Sequence, residues 1–413
     1  MVNQEFVISA IGIVAPGAIG KEAFWNSLEN GASAISKVES FSTDKFSVNL
    51  AGEIKNFDPK VYLGQKGLRN LDRSSLFLMT AAKFALDEAK LEITEENTDD
   101  IGVSTGTTFP HLSSMIQFDR EVINDGLEFS NPALFPSTVL NAASSQVSIR
   151  FNIQGYNASV STGFTSSLQA LKYALESLNT SKAKIVLCGA VESLTLSLYF
   201  GFYKLGYIAG VKGEALSCPF DRRRNGPVLA EAAAMFCVEE EKSANARNAQ
   251  IFAKIKSVSC YFDGFRIGKI HPEGEGLEKA IKKALDEAGV APSEIDYISS
   301  CANSSQDLDS IEVKVLKNIF GDKLSKIPIS SIKSMLGETL SASGALQIAS
   351  CIGAMQRGVI PPTINYKEKD PECDIDCVPN HAQKKDVKIA LVVSFGPGGY
   401  NSACILEKVE SRG

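Results

Sequence analysis

The chain has 413 residues, of which 44% are apolar and 22% are charged, and a formal net charge of -6. This length is ample for a large core and suggests two domains or two fused halves. The acidic balance argues against non-specific nucleic-acid binding, which needs a basic surface, and no uncharged apolar run reaches the length of a membrane span.

Nine cysteines are scattered along the chain. An odd, scattered set fits a reducing compartment better than a disulfide framework. The apolar opening, residues 1–20, includes Glu5 and has no basic residue before its core, unlike a secretory signal. We therefore expect a cytoplasmic protein.

The first part of the chain alternates apolar strands with amphipathic helices. Residues 6–13 predict a buried strand. Residues 21–30 predict a helix with Trp25 on its inner face, and residues 74–91 a longer helix with strong apolar periodicity. Further strands are predicted at 101–105, 184–188 and 234–238. A long variable stretch, 107–145, interrupts this alternation.

Residues 160–167, Val-Ser-Thr-Gly-Phe-Thr-Ser-Ser, are the most informative stretch. Ser161 and Thr162 are candidate caps for the helix that follows, and Gly163 allows a sharp turn. That helix has leucines at helical spacing: Leu168, Leu171, Leu175 and Leu178. Many folds expose a nucleophile at such an elbow, because the helix N-terminus stabilises a thiolate or oxyanion. The tip here is Phe164, whose benzyl group has no lone pair to donate.

The second part of the chain repeats this alternation. Strands are predicted at 258–262, 295–299 and 390–394, and helices at 276–289, 309–320 and 340–355. We place the boundary after the polar segment 239–248, so that residues 1–248 and 249–413 form two halves. Alternating strands and helices favour an α/β fold with helix layers around the sheets.

Five separated motifs resemble those of the β-ketoacyl synthases (ketosynthases) of fatty acid and polyketide assembly. They occur in the family's order at 6–12 with 24–25, 160–167, 218–233, 331–338 and 394–401. Each motif alone is weak, but five in order are specific. The resemblance implies a thiolase-like α/β fold, a five-layer α-β-α-β-α sandwich of two similar halves, with the catalytic pocket where they meet.

The resemblance also locates the family's catalytic positions, and all three are replaced. Phe164 stands where the family has its nucleophilic cysteine in S-T-A-C-A. Cys301 and Glu338 stand where the family has its two histidines, in N-A-H-G-T and S-x-K-S-x-x-G-H. The three histidines of the chain lie outside both motifs: His111, His271 and His381. We therefore predict no catalytic residue, no metal and no cofactor.

Cys301 suggests an alternative, a stand-alone acyltransferase with Glu338 as its base. A nearby carboxylate raises the pKa of a thiol and suppresses the thiolate, so we favour a small buried residue instead. The pair Cys373 and Cys377 supplies only two potential ligands, which disfavours zinc. The run 222–224 of three arginines has two open interpretations: contact with an acidic carrier or a phosphopantetheine phosphate, or a solvated loop.

Other residues match the framework that the family keeps around its site. Asp309, Glu312 and Lys333 match its polar residues, and Gly396, Gly398 and Gly399 match a loop near the thioester. We interpret Lys333 and a carboxylate partner as a structural pair that holds the halves in register. The glycines are interpreted as a tight turn with positive φ angles.

A ketosynthase scaffold without these side chains resembles the chain length factors of type II polyketide synthases. The resemblance implies a heterodimer with an active ketosynthase and contact with acyl carrier protein through that complex. Candidate tunnel residues in the variable stretch are Phe109, Met115, Ile116, Phe118 and Phe135. Each of them, taken singly, is more typical of ordinary core, but as a set we expect one or two to line a tunnel. Alternatives are a similar subunit of an aryl polyene or other polyene pathway, the Cys301 enzyme, and a scaffold that only binds acyl carrier protein.

Overall fold

The structure of the protein, a computed structural model, describes residues 4–109, 111–266 and 268–410. Within those ranges its strands are β1 (Phe6–Ala15), β2 (Ala18–Ile19), β3 (Ile35–Lys37), β4 (Leu50–Gly52), β5 (Ile101–Gly106), β6 (Asn157–Val160), β7 (Ile185–Glu192), β8 (Ala232–Glu240), β9 (Ala253–Phe262), β10 (Tyr297–Ser299), β11 (Ile329–Ser330), β12 (Val359–Ile360), β13 (Gln383–Lys384), β14 (Ile389–Phe395) and β15 (Tyr400–Glu407).

The helices connect these strands and cover their faces. They are α1 (Lys21–Glu29), α2 (Pro59–Leu63), α3 (Arg73–Ala89), α4 (Leu112–Asp125), α5 (Ala142–Phe151), α6 (Ser166–Asn179), α7 (Leu196–Lys204), α8 (Glu241–Ala246), α9 (Glu275–Ala288), α10 (Gln306–Phe320), α11 (Lys333–Leu336) and α12 (Ser343–Arg357). Short 3-10 turns precede α6 and α12, at Gly163–Thr165 and Leu340–Ala342.

The main sheet repeats one topology twice. Its strand order is β6-β5-β7-β8-β1 in the N-terminal half and β11-β10-β14-β15-β9 in the C-terminal half. In each half the first three strands are parallel and the last two run antiparallel to their neighbours. The halves join where β1 pairs antiparallel with β9. The predicted thiolase-like fold of two similar halves is confirmed.

Helix layers alternate with the two halves of the sheet. Helices α3 and α5 cover the outer face of the N-terminal strands, α6 and α12 pack between the halves, and α9 and α10 cover the outer face of the C-terminal strands. Apolar side chains fill the space between successive layers, because each of these helices buries one face against the sheet. This arrangement is the predicted five-layer α-β-α-β-α sandwich.

Most of the predicted elements lie within a few residues of the observed ones. The expected inner face of the first helix is confirmed, since Trp25 is buried and its Nε1 donates to the Ala349 carbonyl at 2.8 Å. That hydrogen bond joins α1 to α12, across the proposed boundary between the halves. The boundary itself, between residues 248 and 249, stays a prediction.

The predicted cap of the elbow helix is wrong. Neither Ser161 nor Thr162 caps α6 through its side chain; Thr165 occupies the N-cap position without a side-chain hydrogen bond. The side-chain hydrogen bonds at the elbow come from Ser166, inside the helix. Its Oγ accepts from the Thr162 amide at 2.9 Å and donates to the Gly163 carbonyl at 2.7 Å. The predicted apolar face is confirmed at Leu168, Leu171 and Leu178, which are buried, while Leu175 is partly buried.

None of the helices in the described ranges is both long enough and apolar enough to cross a membrane.

Candidate functional site

The elbow places Phe164 at the meeting point of the two halves. The residue lies in the 3-10 turn Gly163–Thr165, between β6 and α6. Gly163 permits this turn with a φ angle of 65°. The Phe164 side chain is buried, and its carbonyl accepts a hydrogen bond from Ser394 Oγ at 2.9 Å. Because Ser394 belongs to β14, the elbow is fixed against the C-terminal half.

Cys301 follows β10 and is fully buried. Its Sγ donates to the Phe395 carbonyl at 3.2 Å, and Lys333 Nζ lies 3.5 Å from the same sulfur. Burial raises the pKa of the Cys301 thiol to about 12, against the opposing effect of Lys333. The thiol is therefore protonated at neutral pH, and a protonated thiol is a poor nucleophile.

Lys333 and Glu338 form a buried ion pair, with 2.8 Å between Nζ and Oε2. Glu338 has further partners, since its Oε2 accepts from Asn303 Nδ2 at 2.8 Å. Its Oε1 accepts from the Leu340 amide at 2.9 Å and from Ser343 Oγ at 2.7 Å. A buried pair of charges is tolerated only with such supporting hydrogen bonds. Glu338 is thus held as an acceptor inside a closed network.

Lys333 brings Phe164, Cys301 and Glu338 together. It contacts Cys301 and Glu338, and its Nζ lies 5.8 Å from the centre of the Phe164 ring. Burial alone would lower the pKa of Lys333, but Cys301 and Glu338 raise it above its ordinary value, so the ammonium form persists. The centre of the site holds an ion pair, a neutral thiol and an aromatic ring.

Asp309 and Glu312 lie behind this network on α10. Burial raises the pKa of Asp309 to about 6 and the pKa of Glu312 to about 8. Glu312 accepts from Ser300 Oγ at 2.8 Å and from the Cys301 amide at 3.1 Å. Asp309 accepts from the Phe220 amide at 2.9 Å.

These contacts revise the predicted role of Lys333. Its carboxylate partner, Glu338, belongs to the same half of the chain, so their ion pair does not connect the halves. Other hydrogen bonds near this network do connect the halves: Asp309 accepts from the Phe220 amide, and the Glu338 amide donates to the Val228 carbonyl at 2.7 Å.

The glycine loop after β14 has only part of its predicted geometry. Of the three glycines, Gly399 alone has a positive φ angle, 80°. Gly396 is required for space, because a Cβ there would lie 2.7 Å from Phe164 Cδ2. At Gly398 a Cβ would meet only Tyr400 Cδ2, at 3.9 Å. The loop therefore packs directly against the ring that occupies the elbow.

The five candidate tunnel residues lie at the surface of the single chain. Phe109, Met115 and Phe135 are exposed, and Ile116 and Phe118 are half-buried. The alternative that each is ordinary core is therefore wrong. Phe118 and Phe135 contact each other, with 5.7 Å between ring centres, and Phe109 packs edge-on against a ring of α7. Their role in lining a tunnel stays a prediction.

The arginine run is largely internal. Arg223 pairs with Asp221, with 2.8 Å between Nε and Oδ1, and buried Arg224 pairs with Asp370. Only Arg222 of the three is exposed, so neither interpretation of the run holds for the other two. Cys373 and Cys377 are buried, and the described ranges contain no group of three His, Cys, Asp or Glu side chains arranged to hold a metal ion.

Two buried polar features were missed from the sequence. His111 Nδ1 lies 2.5 Å from Asp72 Oδ2. Glu192 accepts from the amides of Thr108 and Phe109, both at 3.0 Å. Asp72 carried the signal of a helix N-cap, which it is, but its second partner is 39 residues away and leaves no local pattern.

Comparison with known proteins identifies the family. Residues 3–244 match the β-ketoacyl synthase N-terminal domain, and residues 252–367 match the β-ketoacyl synthase C-terminal domain. The chain therefore belongs to the β-ketoacyl synthase family.

Similar proteins come from fatty acid and polyketide assembly. The 3-oxoacyl-[acyl-carrier-protein] synthase 2 of Coxiella burnetii is 32% identical over 99% of this chain and 100% of that protein. The tetracenomycin polyketide synthase ketoacyl synthase alpha subunit of Streptomyces glaucescens is 33% identical over 98% of this chain and 97% of that protein.

Similar solved structures include partner subunits and carrier complexes. The ishigamide ketosynthase/chain length factor has a TM-score of 0.92 at 27% identity, over 98% of this chain and 100% of that chain. A type II polyketide synthase acyl-carrier protein in complex with its ketosynthase bound to the hexaketide has a TM-score of 0.88 at 27% identity, with the same coverage of both chains.

Proposed function

We propose that this chain is a non-catalytic ketosynthase homologue that acts as a chain length factor in type II polyketide biosynthesis. The observation that carries the proposal is Phe164, which sits buried at the elbow and has no atom that can accept an acyl group. A decarboxylating condensation also needs an activated nucleophile and polar groups that stabilise the oxyanion. The positions of the two family histidines hold a thiol and a carboxylate.

The ring of Phe164 also closes the pocket of this subunit. It fills the space in front of Gly396, and Lys333 and Glu338 use each other as partners behind it. An acyl chain attached to a partner must therefore grow outside this pocket. In this proposal the active ketosynthase carries out the chemistry, and acyl carrier protein delivers substrate to the heterodimer. The similarity to a ketosynthase/chain length factor and to a ketosynthase–carrier complex supports that assignment of partners.

The surface that would shape the tunnel is the apolar face around α4. Met115, Phe135 and Phe109 keep 43%, 59% and 41% of their surface exposed in the single chain. Exposed apolar groups clustered in this way are typical of interaction surfaces. The heterodimer would cover this surface and leave part of it facing the growing chain.

The alternative enzyme that uses Cys301 is disfavoured by the same geometry. Its thiol is 0% exposed and protonated at neutral pH, and Phe395 and Lys333 occupy its hydrogen-bonding directions. A carrier-bound thioester would have to displace buried side chains to reach the sulfur. The protein alone should therefore not become acylated by a loaded carrier.

Product length from the reconstituted heterodimer tests the proposal. The chain would be co-purified with a candidate partner ketosynthase and supplied with malonyl-loaded carrier. Met115→Ala and Phe118→Ala should give longer products by removing volume from the tunnel wall, as measured by mass spectrometry. The exposed Val61→Ala substitution, on α2, is the control. Unchanged length across all five candidate positions, or acylation of this chain alone, contradicts the proposal.

A further inference from the structure

The segment that follows β5 lies beside the elbow. Strands β5, β6 and β7 are parallel, so their carboxyl ends meet at one edge of the sheet. The Thr107 amide donates to the Val160 carbonyl at 2.9 Å, and Thr108 Oγ1 donates to the Gly163 carbonyl at 3.1 Å. Residues 107–109 are therefore attached both to the end of β6 and to the elbow itself.

A buried carboxyl group holds the same segment from the other side. Glu192, the last residue of β7, is 1% exposed. It accepts from the amides of Thr108 and Phe109, both at 3.0 Å, and from Ser341 Oγ at 2.8 Å. Because Ser341 lies in the turn before α12, Glu192 connects the segment with the central helix layer.

Glu192 differs from several other buried glutamates in its partners. Glu231, Glu239 and Glu338 each pair with an arginine or a lysine, whereas Glu192 forms no ion pair within the described ranges, and burial raises its pKa. Taking a carboxyl group out of water without a cationic partner is costly, so Glu192 contributes little net stability. What it provides is one defined position for two consecutive amides, since a fully hydrogen-bonded buried group is rigid.

Phe109 is the side chain that this arrangement orients. Its ring keeps 41% of its surface exposed and packs edge-on against Phe202 of α7, with 6.2 Å between ring centres. Phe109 follows the residue that is bonded to the elbow and precedes the start of α4 at Leu112. An acyl chain that crosses from α4 towards the elbow therefore meets this ring.

We propose that Glu192 is a positioning residue for Phe109, and that the ring held in this way limits the length of the acyl chain. This inference rests on the proposed function, because it takes a growing acyl chain to pass the face of α4. A ring in one fixed position ends the tunnel at one point and gives one dominant product length. A ring that moves ends the tunnel at several points and gives a mixture of lengths.

The position of the ring is measured on the full chain alone, by ¹⁹F NMR with 4-fluorophenylalanine in place of Phe109. Glu192→Met keeps the length of the side chain but offers the amides no oxygen, so the ¹⁹F signal should move towards that of free 4-fluorophenylalanine. Glu192→Gln keeps an acceptor for the Phe109 amide and should retain the wild-type signal. Glu192→Asp withdraws the carboxyl group by one methylene and should move the signal in the same direction as Glu192→Met. It is the milder variant if Glu192→Met does not fold.

Glu53 offers a matched control. It is buried and also accepts from two consecutive amides, those of Glu39 at 2.7 Å and Ser40 at 3.0 Å. Glu53→Met therefore removes the same kind of contact from a segment that carries no candidate tunnel residue. Thermal unfolding compares the stability of the two methionine variants. Glu53→Met should leave both the ¹⁹F signal and the product length unchanged.

Product length is then measured on the heterodimer by mass spectrometry. Glu192→Met should replace one dominant product by a mixture that is extended by one or more ketide units. The same substitution should have no further effect on length once Phe109→Ala is present, because the ring that Glu192 holds is then absent. Such dependence of one substitution on the other separates positioning from a general loss of stability.

Two results overturn the inference. An unchanged ¹⁹F signal in folded Glu192→Met and Glu192→Asp excludes the positioning role. A moved signal with unchanged product length, or an equal change of length in Glu53→Met, excludes the limit on chain length. If the wild-type heterodimer makes no polyketide, the proposed function fails and the limit on chain length fails with it. The ¹⁹F measurement, which needs no partner, still decides whether Glu192 positions Phe109.

Discussion

Glu312 is the residue whose ionisation most depends on the fold. Its carboxyl group is fully buried beside Cys301, and burial raises its pKa from 4.5 to about 8. The folded protein therefore keeps a proton that the unfolded chain releases above pH 4.5. Folding takes up that proton between these two values, so the contribution of Glu312 to stability is fully present below pH 4.5 and is lost as the pH rises towards 8.

Glu312→Gln should remove this dependence. Glutamine can still accept from the Cys301 amide and donate to Ser300 Oγ, and it does not titrate. We expect the free energy of unfolding of the wild type to fall relative to that of the variant by up to about 1.4 kcal/mol per pH unit within the window. Urea unfolding at several pH values measures the difference. Parallel curves would contradict the expectation, and the exposed Glu128→Gln substitution is the control.

The sequence singled out Phe164, Cys301 and Glu338, which the structure brings together, but it did not indicate their contacts. Their assignment to the family's catalytic positions rests on the order of the motifs and stays a prediction. Nothing local in the sequence indicates that Lys333 joins Cys301 to Glu338, because Cys301 is 32 residues away from it. His111 lies outside the motifs, and its partner Asp72 is distant in the chain, so no local pattern indicates their contact.

At the scale of elements, the elbow before α6 and the loop after β14 are fitted to each other. The Phe164 ring occupies the space that a side chain at position 396 would need, with 2.7 Å between Cδ2 and an added Cβ. A close contact of this kind makes the two sites energetically dependent. The same contact closes the pocket. The coupling energy between positions 164 and 396 therefore measures how strongly the pocket is held closed.

A double-mutant cycle tests this fit. Gly396→Ala should cost about 1–3 kcal/mol from overpacking, and Phe164→Ala about 3–5 kcal/mol from the cavity it leaves. The double variant should cost less than the sum, because the new methyl group enters the vacated space. Gly398→Ala, with open surroundings, should cost little and show no coupling. Additive costs, measured by chemical unfolding, would show that the ring and the loop are independent.

At the scale of the whole molecule, the two halves share one sheet and one central helix layer. β1 pairs with β9, and Trp25 of α1 donates a hydrogen bond to Ala349 of α12. Trp25 is the single tryptophan of the chain, so its fluorescence reports on this contact between the halves. We expect the thermal transitions followed by Trp25 fluorescence and by far-UV circular dichroism to coincide. Loss of the Trp25 signal at a lower temperature would show that the halves separate before they unfold.

The layered architecture could be predicted from the sequence. Apolar periodicity indicates the strands and helices, and the order of the motifs indicates the family fold. The β1–β9 junction was not, since pairing between strands so distant in the chain leaves no local pattern. The surface position of Phe135 and Met115 was equally hidden. In the sequence, apolar side chains that lie at the surface are of the same residue types as those that lie in the core.

Strand β6 has a practical consequence for handling the protein. In the described part of the chain it lies at the end of the main sheet and pairs as a strand with β5 alone. Bare strand edges recruit other strands and so promote aggregation. The chain produced alone should therefore precipitate on concentration. If the proposed function is right, simultaneous production with its partner ketosynthase in one host should raise the yield of dissolved material.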